Sequence, residues 1–197
     1  IDMITSIKVY KETIFKPHNL AGRKNELLDQ ARVILSKPSI EGSLTIESWM
    51  LELDESEILL EEIENSLNCS NLGLKKLPKW FKKLRIGGYF KCNFNELTSL
   101  ENLPQSMYAL NCSWNKLTSL NGCPKNLYNF DCSGNQLTNL IDGPINVINH
   151  YWCTHNLKMT SLHGLAKNIG GNLHANGLGF KLSDIPKTTI IKGEILI

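Results

Sequence analysis

The sequence predicts a mixed α/β (α+β) fold in which a solenoid of stacked turns with short parallel strands follows a small N-terminal α/β module. Similar segments begin at Phe90, Leu110 and Phe130, and each unit is closed by a proline. Self-similarity at this short period of 20 residues is typical of a solenoid. Residues 1–63 lack the period, so we assign them to an N-terminal capping module and residues 64–197 to the solenoid.

The apolar pattern within each unit predicts one strand per turn. If Phe90 is given the fourth position of its unit, Cys92 occupies the sixth, Leu97 the eleventh and Leu100 the fourteenth. The fourth and sixth positions alternate with polar neighbours, as in a half-buried strand. A single unit cannot bury this stripe alone, so neighbouring turns must share one core.

The capping module contains several predicted elements. Residues 4–15 have the composition of a strand, residues 23–36 show helical spacing of apolar side chains, and residues 43–53 fit a second strand. Asp54 followed by Glu57 forms an acidic capping box and predicts a helix through Ile63. At the other end, apolar residues 190–197 predict a closing strand.

Asparagines recur where each predicted strand ends and the chain turns inward: Asn95, Asn115, Asn135 and Asn156. A buried amide is costly unless it is hydrogen-bonded. We therefore expect these side chains to bond backbone groups of adjacent turns, which is a structural role.

Five of the six cysteines occupy the inward sixth position, and Cys123 falls where Leu103 lies one unit earlier. This pattern favours small buried core residues over a disulfide framework. Stacked turns about 4.8 Å apart lie near disulfide reach, so free thiols imply a reducing compartment.

A zinc site built from His150, Cys153, His155 and His163 is the one metal hypothesis that the composition suggests. Positions 150 and 153 point to opposite faces of a strand, and Cys153 is needed in the core. We therefore predict no metal and no cofactor.

Charge is unevenly distributed along the chain. Residues 38–74 contain no Lys or Arg and many acids, whereas Lys75 to Arg85 carries six basic residues and no acid. Two interpretations stay open: two solvated faces that attract each other, or a basic patch for a nucleic acid or another anionic surface.

The repeats, such as Leu110-Asn-Cys-Ser-Trp-Asn-Lys-Leu-Thr-Ser-Leu120, resemble the leucine-rich repeat family, in the short 20-residue form of secreted bacterial effectors and proteins of large tailed phages. The resemblance covers residues 64–197. It implies a curved solenoid with one short parallel strand per repeat on its concave side. It also implies that the third, fifth, seventh and eighth positions of each repeat point outward from that side.

Carrying those positions onto this sequence gives a candidate partner-binding set on the concave face: Tyr89, Lys91, Phe94, Asn111, Trp114, Asn129, Asp131, His150, Trp152, His155 and His174. Large aromatics among small polar residues are typical of protein-binding surfaces. The competing interpretation is that Phe94 and Trp114 merely pack on each other.

The predicted function is a noncatalytic protein-binding module, an adaptor or inhibitor, such as a phage or bacterial effector that blocks a host protein like a defence enzyme. Nucleic-acid or anionic-surface binding through Lys75 to Arg85 and an enzyme of unrecognised type are the alternatives. We find no catalytic residues, because the chain has no Gly-rich phosphate loop, no His-Glu-x-x-His helix and no nucleophile elbow. Without a secretory segment or long apolar run, we expect a cytoplasmic protein, in the host cytoplasm if phage-encoded, with no membrane partner.

Overall fold

The computed structural model describes residues 20–104 and 106–197. One α-helix, α1, spans Leu20–Leu35. In chain order within these residues, the strands are β1 (Ser39–Ile40), β2 (Leu44–Thr45), β3 (Glu62–Ile63), β4 (Leu67–Asn68), β5 (Arg85–Ile86), β6 (Tyr89–Lys91), β7 (Ala109–Asn111), β8 (Asn126–Leu127), β9 (Phe130–Asp131), β10 (Asn146–Val147), β11 (Tyr151–Trp152), β12 (Asn168–Ile169), β13 (Leu173–His174), β14 (Ile190–Ile191) and β15 (Ile195–Leu196).

The strands pair in parallel and form a β-solenoid of about seven turns. The largest sheet has the order β2-β4-β6-β7-β9-β11-β13-β15, and two smaller sheets have the orders β1-β3-β5 and β8-β10-β12-β14. Most turns therefore contribute two strands, whereas the family resemblance implies one. The additional strand lies one corner earlier, where Leu127, Val147 and Ile169 are buried in register.

Turn length varies along the solenoid. Paired residues are 20 positions apart between Leu110 and Phe130, but 23 apart between Leu67 and Phe90 and 22 apart between Tyr151 and Leu173. The 20-residue turns lie in the middle of the stack, which is why the sequence repeat is clearest there.

Two glycine corners hold the two strands of a turn against the preceding turn. A Cβ at Gly87 would lie 2.0 Å from the carbonyl oxygen of Glu64, and a Cβ at Gly170 would lie 2.0 Å from that of Ile148. Only glycine permits this approach of one backbone to another. The corners thus bring β6 and β13 into the eight-stranded sheet.

Inward-facing cysteines form a ladder through the core. Each donates its S–H to a carbonyl oxygen one turn further on, at 3.4 to 3.6 Å: Cys69 to Lys91, Cys92 to Asn111, Cys112 to Asp131, Cys132 to Trp152 and Cys153 to His174. All six cysteines are buried free thiols, as the repeat position predicted. A small apolar side chain with a weak donor suits a core position beside a strand carbonyl.

The asparagine ladder is also confirmed. The Asn115 side chain accepts a hydrogen bond from the Leu97 amide at 2.9 Å and donates to the carbonyls of Cys92 and Cys112 at 3.0 and 3.1 Å. Asn95, Asn135 and Asn156 make equivalent contacts, and all four are buried. Each amide therefore joins the backbones of adjacent turns.

The helix predicted after Asp54 is wrong. Asp54 does accept a hydrogen bond from the Ser56 amide, but it caps only a single 3-10 turn, Glu55–Glu57. The chain then extends, and the amides of Leu59 and Leu60 both donate to the carbonyl of Leu35 at the end of α1. Leu60 is buried and Leu59 is 58% exposed, which is the alternation of extended chain.

The other N-terminal predictions have mixed outcomes. The helix predicted for residues 23–36 is confirmed as α1, and its Ala31 and Leu35 enter the core. Of residues 43–53, only Leu44–Thr45 forms a strand, because a 3-10 helix follows at Ser48–Glu52. Residues 4–15 lie outside the described part of the chain.

On the N-terminal side of residue 64, β1 and β2 pair in parallel with β3 and β4. The predicted C-terminal strand forms as β14 and β15, which pair with β12 and β13. The described ranges, residues 20–104 and 106–197, contain no helix that could serve as a membrane span.

Candidate functional site

The predicted binding residues lie on one face of the eight-stranded sheet and in the segments that flank its strands. We call this the outer face, because the alternate side chains of the same strands are buried in the core. None of the eleven predicted residues is buried. The structure groups most of them into two aromatic clusters and one shallow depression.

The first cluster, which we call the aromatic column, consists of Phe94, Trp114 and His155. The Phe94 and Trp114 rings are parallel, with centroids 6.0 Å apart, and the Trp114 and His155 rings are 5.4 Å apart. Gly134 occupies the same repeat position between them, and a Cβ there would lie 2.7 Å from Trp114 Cδ2. The missing side chain at Gly134 lets the indole lie over that turn.

The backbone of the aromatic column is left-handed. The φ angles of Phe94, Trp114 and His155 are 55°, 54° and 58°, and that of Gly134 is 64°. Bulky residues rarely adopt this conformation, because the Cβ approaches the following carbonyl oxygen. Phe94 and Trp114 are nevertheless 51% and 46% exposed, so the strain is not offset by full burial.

The second cluster, which we call the His-Trp cluster, contains His150, Trp152 and His174. The Trp152 and His174 rings stack with centroids 5.2 Å apart, and His150 lies 5.3 Å from Trp152. The Asn172 amide donates a hydrogen bond to His150 Nδ1 at 3.0 Å, which fixes the orientation of the ring. Burial and the neighbouring His150 lower the pKa of His174, against the opposing effect of Asp131.

Sequence reasoning identified Tyr89 but missed Tyr108 and Tyr128, which form a row of tyrosines with it beside these clusters. Tyr108 and Tyr128 stack at 4.5 Å, and Tyr89 lies 6.4 Å from Tyr108. Desolvation, followed by the proximity of Tyr128, raises the pKa of Tyr108. Tyr108 and Tyr128 are one period apart in the sequence, and that spacing was the available signal.

A shallow depression of about 200 Å³ lies between the His-Trp cluster and the tyrosine row. It is lined by Tyr89, Leu110, Asn111, Asn129, Asp131 and Trp152. All but Leu110 belong to the predicted set. The Asn129 amide donates to the Tyr89 hydroxyl at 2.7 Å and its oxygen accepts from the His150 amide, which holds this wall in place.

Asp131 is the carboxylate of the depression. Its Oδ1 accepts a hydrogen bond from the Ser133 amide at 2.9 Å. Desolvation raises the pKa of Asp131, and hydrogen bonds from Ser133 and Ser113 oppose that rise. Among the described residues, Asp131 forms no ion pair with Lys or Arg. Lys91 lies instead near the Tyr89 ring, with Nζ 5.8 Å from its centroid.

The cysteines and histidines do not converge in the structure. In the described ranges, no group of three or more His, Cys, Asp or Glu is placed to hold a metal ion. Cys153 is buried while His150 faces outward, as strand parity predicted, and His163 is exposed elsewhere. Burial raises the pKa of every cysteine, to about 12 for Cys123 and Cys153.

The basic segment Lys75 to Arg85 adjoins the acidic turn before it. Arg85 forms an ion pair with Glu62 at 3.3 Å, and Lys83 Nζ donates to the Ile58 carbonyl at 2.8 Å. The four remaining lysines of the segment are exposed. Two of the six basic side chains of this segment, Lys83 and Arg85, therefore contact other residues of the chain.

Comparison with known proteins found no match: no protein-family model, no curated protein and no solved structure matches this chain. The function proposed below therefore depends on the geometry of the outer face.

Proposed function

We propose that this chain is a noncatalytic protein-binding module of the leucine-rich-repeat type, whose outer face is the concave, partner-binding side. It acts as an adaptor or inhibitor of bacterial or phage origin by occupying a protein partner, such as a host defence enzyme. The observation that carries the proposal is the half-exposed aromatic column, held at left-handed backbone positions.

The energetics of the column favour a binding role over simple packing. A non-glycine residue in the left-handed region costs roughly 1–3 kcal/mol. The Phe94–Trp114 stack returns about 0.5–1.5 kcal/mol, so the stack offsets the strain of one residue at most. Gly134 and Gly177 adopt the same conformation without that strain. Stacking within the fold therefore does not account for aromatic residues at these strained positions, whereas contact with a partner would.

The surroundings of the column support the same proposal. The outer face combines the rings of Trp114 and Trp152 with small polar side chains, a composition in which aromatic anchors dominate affinity. The thiols are buried and their pKa values are raised, so they are unsuited to act as nucleophiles. A noncatalytic role is consistent with this.

The test is capture of the partner from host lysate, followed by affinity measurements with variants. Trp114→Ala and Trp152→Ala should each weaken binding of the captured partner tens-fold, because truncating an interface anchor costs roughly 2 kcal/mol or more. Their melting temperatures should stay close to that of the wild type. Trp114→Gly, which copies Gly134, should likewise remain folded.

Two exposed positions away from the clusters provide the controls. Leu157 is 84% exposed, and Lys158 contacts only the Gln136 side chain among the hydrogen bonds of this turn. Leu157→Ala and Lys158→Ala should change neither binding nor stability. If both tryptophan variants bind the partner as tightly as the wild type, the outer face is not the site.

A further inference from the structure

The depression on the outer face contains a partly buried carboxylate, Asp131, that no Lys or Arg of the described residues pairs with. The Lys91 side chain lies near the Tyr89 ring. The backbone of Lys91 is two rungs of the sheet from that of Asp131, a separation of about 9–10 Å. His174 acts on Asp131 through its charge, but burial and the neighbouring His150 lower the pKa of His174.

The fold does not require this charge. At the equivalent positions one and three rungs earlier in the sheet, Asn111 and Asn68 accept the same hydrogen bond, from the amides of Ser113 and Ser70, at 3.0 and 3.1 Å. Asp131 makes the equivalent bond to Ser133 at 2.9 Å. An amide oxygen therefore performs the turn-forming role of Asp131. Compared with an amide at this position, the carboxylate adds only a negative charge, and desolvation of that charge is unfavourable.

The walls of the depression suit a planar cation. Trp152 presents a ring that stacks with His174 on one side and borders the depression, and Tyr89 forms the opposite wall. Indole and phenol rings attract cations through their π faces. The volume of about 200 Å³ is smaller than the roughly 300–1,000 Å³ of pockets for drug-sized ligands. It fits one side chain better than a metabolite.

We propose that the depression binds an arginine side chain of the protein partner, with the guanidinium against Trp152 and hydrogen-bonded to the Asp131 carboxylate. The inference depends on the proposed protein-binding function, which it deepens by naming the chemistry of the partner. Arginine matches a carboxylate through two parallel N–H donors and also stacks on aromatic rings, whereas lysine offers a compact, strongly hydrated charge.

The depression can be tested without the partner, by NMR titration at neutral pH with Nα-acetyl-arginine methylamide. The probe should shift the Trp152 indole N–H resonance with millimolar affinity. The citrulline analogue, which has the same shape without the charge, should produce no comparable shift. The lysine analogue should bind more weakly than the arginine compound.

Two carboxylate variants separate a local contact from general electrostatics. Asp131→Asn keeps the turn hydrogen bond and should weaken arginine binding roughly ten-fold or more, because hydrogen bonds to a charged group are the strong ones. Glu96→Gln removes the same charge from an exposed carboxylate paired with Lys116, and should leave binding unchanged. A melting curve of Asp131→Asn at or above that of the wild type shows that the fold is intact.

Three outcomes would overturn the proposal: no shift at Trp152, equal binding of the citrulline or lysine compound, or unchanged arginine binding in Asp131→Asn. None of these results bears on partner binding by Trp114. Conversely, the proposed protein-binding function would be contradicted by unchanged partner affinity in both tryptophan variants. The result of the probe titration would not depend on that outcome.

Discussion

The asparagine at the end of each strand is the residue on which the stacking of turns most directly depends. Asn115 bonds backbone groups of its own turn and of the preceding one, and these groups are buried away from water. Its neighbour Lys116 makes one exposed ion pair, with Glu96 at 3.1 Å. The two adjacent positions should therefore respond very differently to truncation.

Asn115→Ala should lower the free energy of unfolding by on the order of 1–3 kcal/mol, because buried backbone groups lose their partner. Lys116→Ala should change it by at most about half a kcal/mol, since exposed ion pairs contribute little. Urea denaturation of both variants measures the difference. Equal effects would show that the amide does not join the turns.

Asp131 should make stability depend on pH. Its pKa is raised by desolvation, so between the ordinary value of 3.8 and the raised value the folded state binds more protons than the unfolded state. The stabilising contribution of the protonated form is complete below 3.8 and is lost as pH rises through the raised value. Wild type should therefore lose stability relative to Asp131→Asn over this window.

Denaturation of wild type and Asp131→Asn at several pH values between acidic and neutral measures this difference. Glu96→Gln provides the opposite control, because the Lys116 contact lowers the pKa of Glu96. Wild type should gain stability over Glu96→Gln as pH rises above that lowered value. A stability difference for Asp131→Asn that stays constant with pH would contradict the assigned environment.

At the scale of elements, the sequence period predicts the strands well and the capping signal after Asp54 does not predict a helix. The period reports a pattern repeated in every turn, and the inward residues at Phe90, Leu110 and Phe130 form the expected strands. The signal at Asp54 is local. It contains no information about the Leu35 carbonyl, which binds the amides of the following extended segment.

The candidate site was predictable to a similar degree. The repeat positions identify which side chains face outward, because register in a stacked sheet carries from turn to turn. The left-handed backbone of Phe94 and Trp114 had one sequence signal, since Gly134 and Gly177 occupy the same repeat position. The depression was not predictable, because it forms between Tyr89 and Trp152, which are three turns apart in the sheet.

The basic segment Lys75 to Arg85 provides a prediction for a single element. Arg85 and Lys83 already contact Glu62 and Ile58, so we expect no nucleic-acid binding at physiological ionic strength. An electrophoretic shift assay with DNA and RNA over a salt series tests this. Salt-dependent micromolar binding that is abolished by charge reversal at Lys79 and Lys82 would make the segment the leading candidate site.

For the whole molecule, the six buried cysteines predict that every thiol resists reaction with a thiol reagent in the folded state. All six cysteines are buried and their pKa values are raised, so reactive thiolate is scarce in the folded state. A thiol reagent should react slowly in native buffer and rapidly in denaturant. Six rapidly labelled thiols in the folded protein, or stoichiometric zinc that survives dialysis, would contradict the structure.

The cysteine ladder also places in successive turns a thiol whose labelling reports when that turn opens. One ladder cysteine lies in each successive turn from Cys69 to Cys153, Cys123 is a sixth buried thiol outside the ladder, and none can meet a reagent until its own turn opens. In a repeat protein each turn contacts only its neighbours, so opening can begin in one region and spread. The order in which the individual thiols become labelled would therefore trace, without any engineered probe, where the stack first comes apart and how far each opening travels.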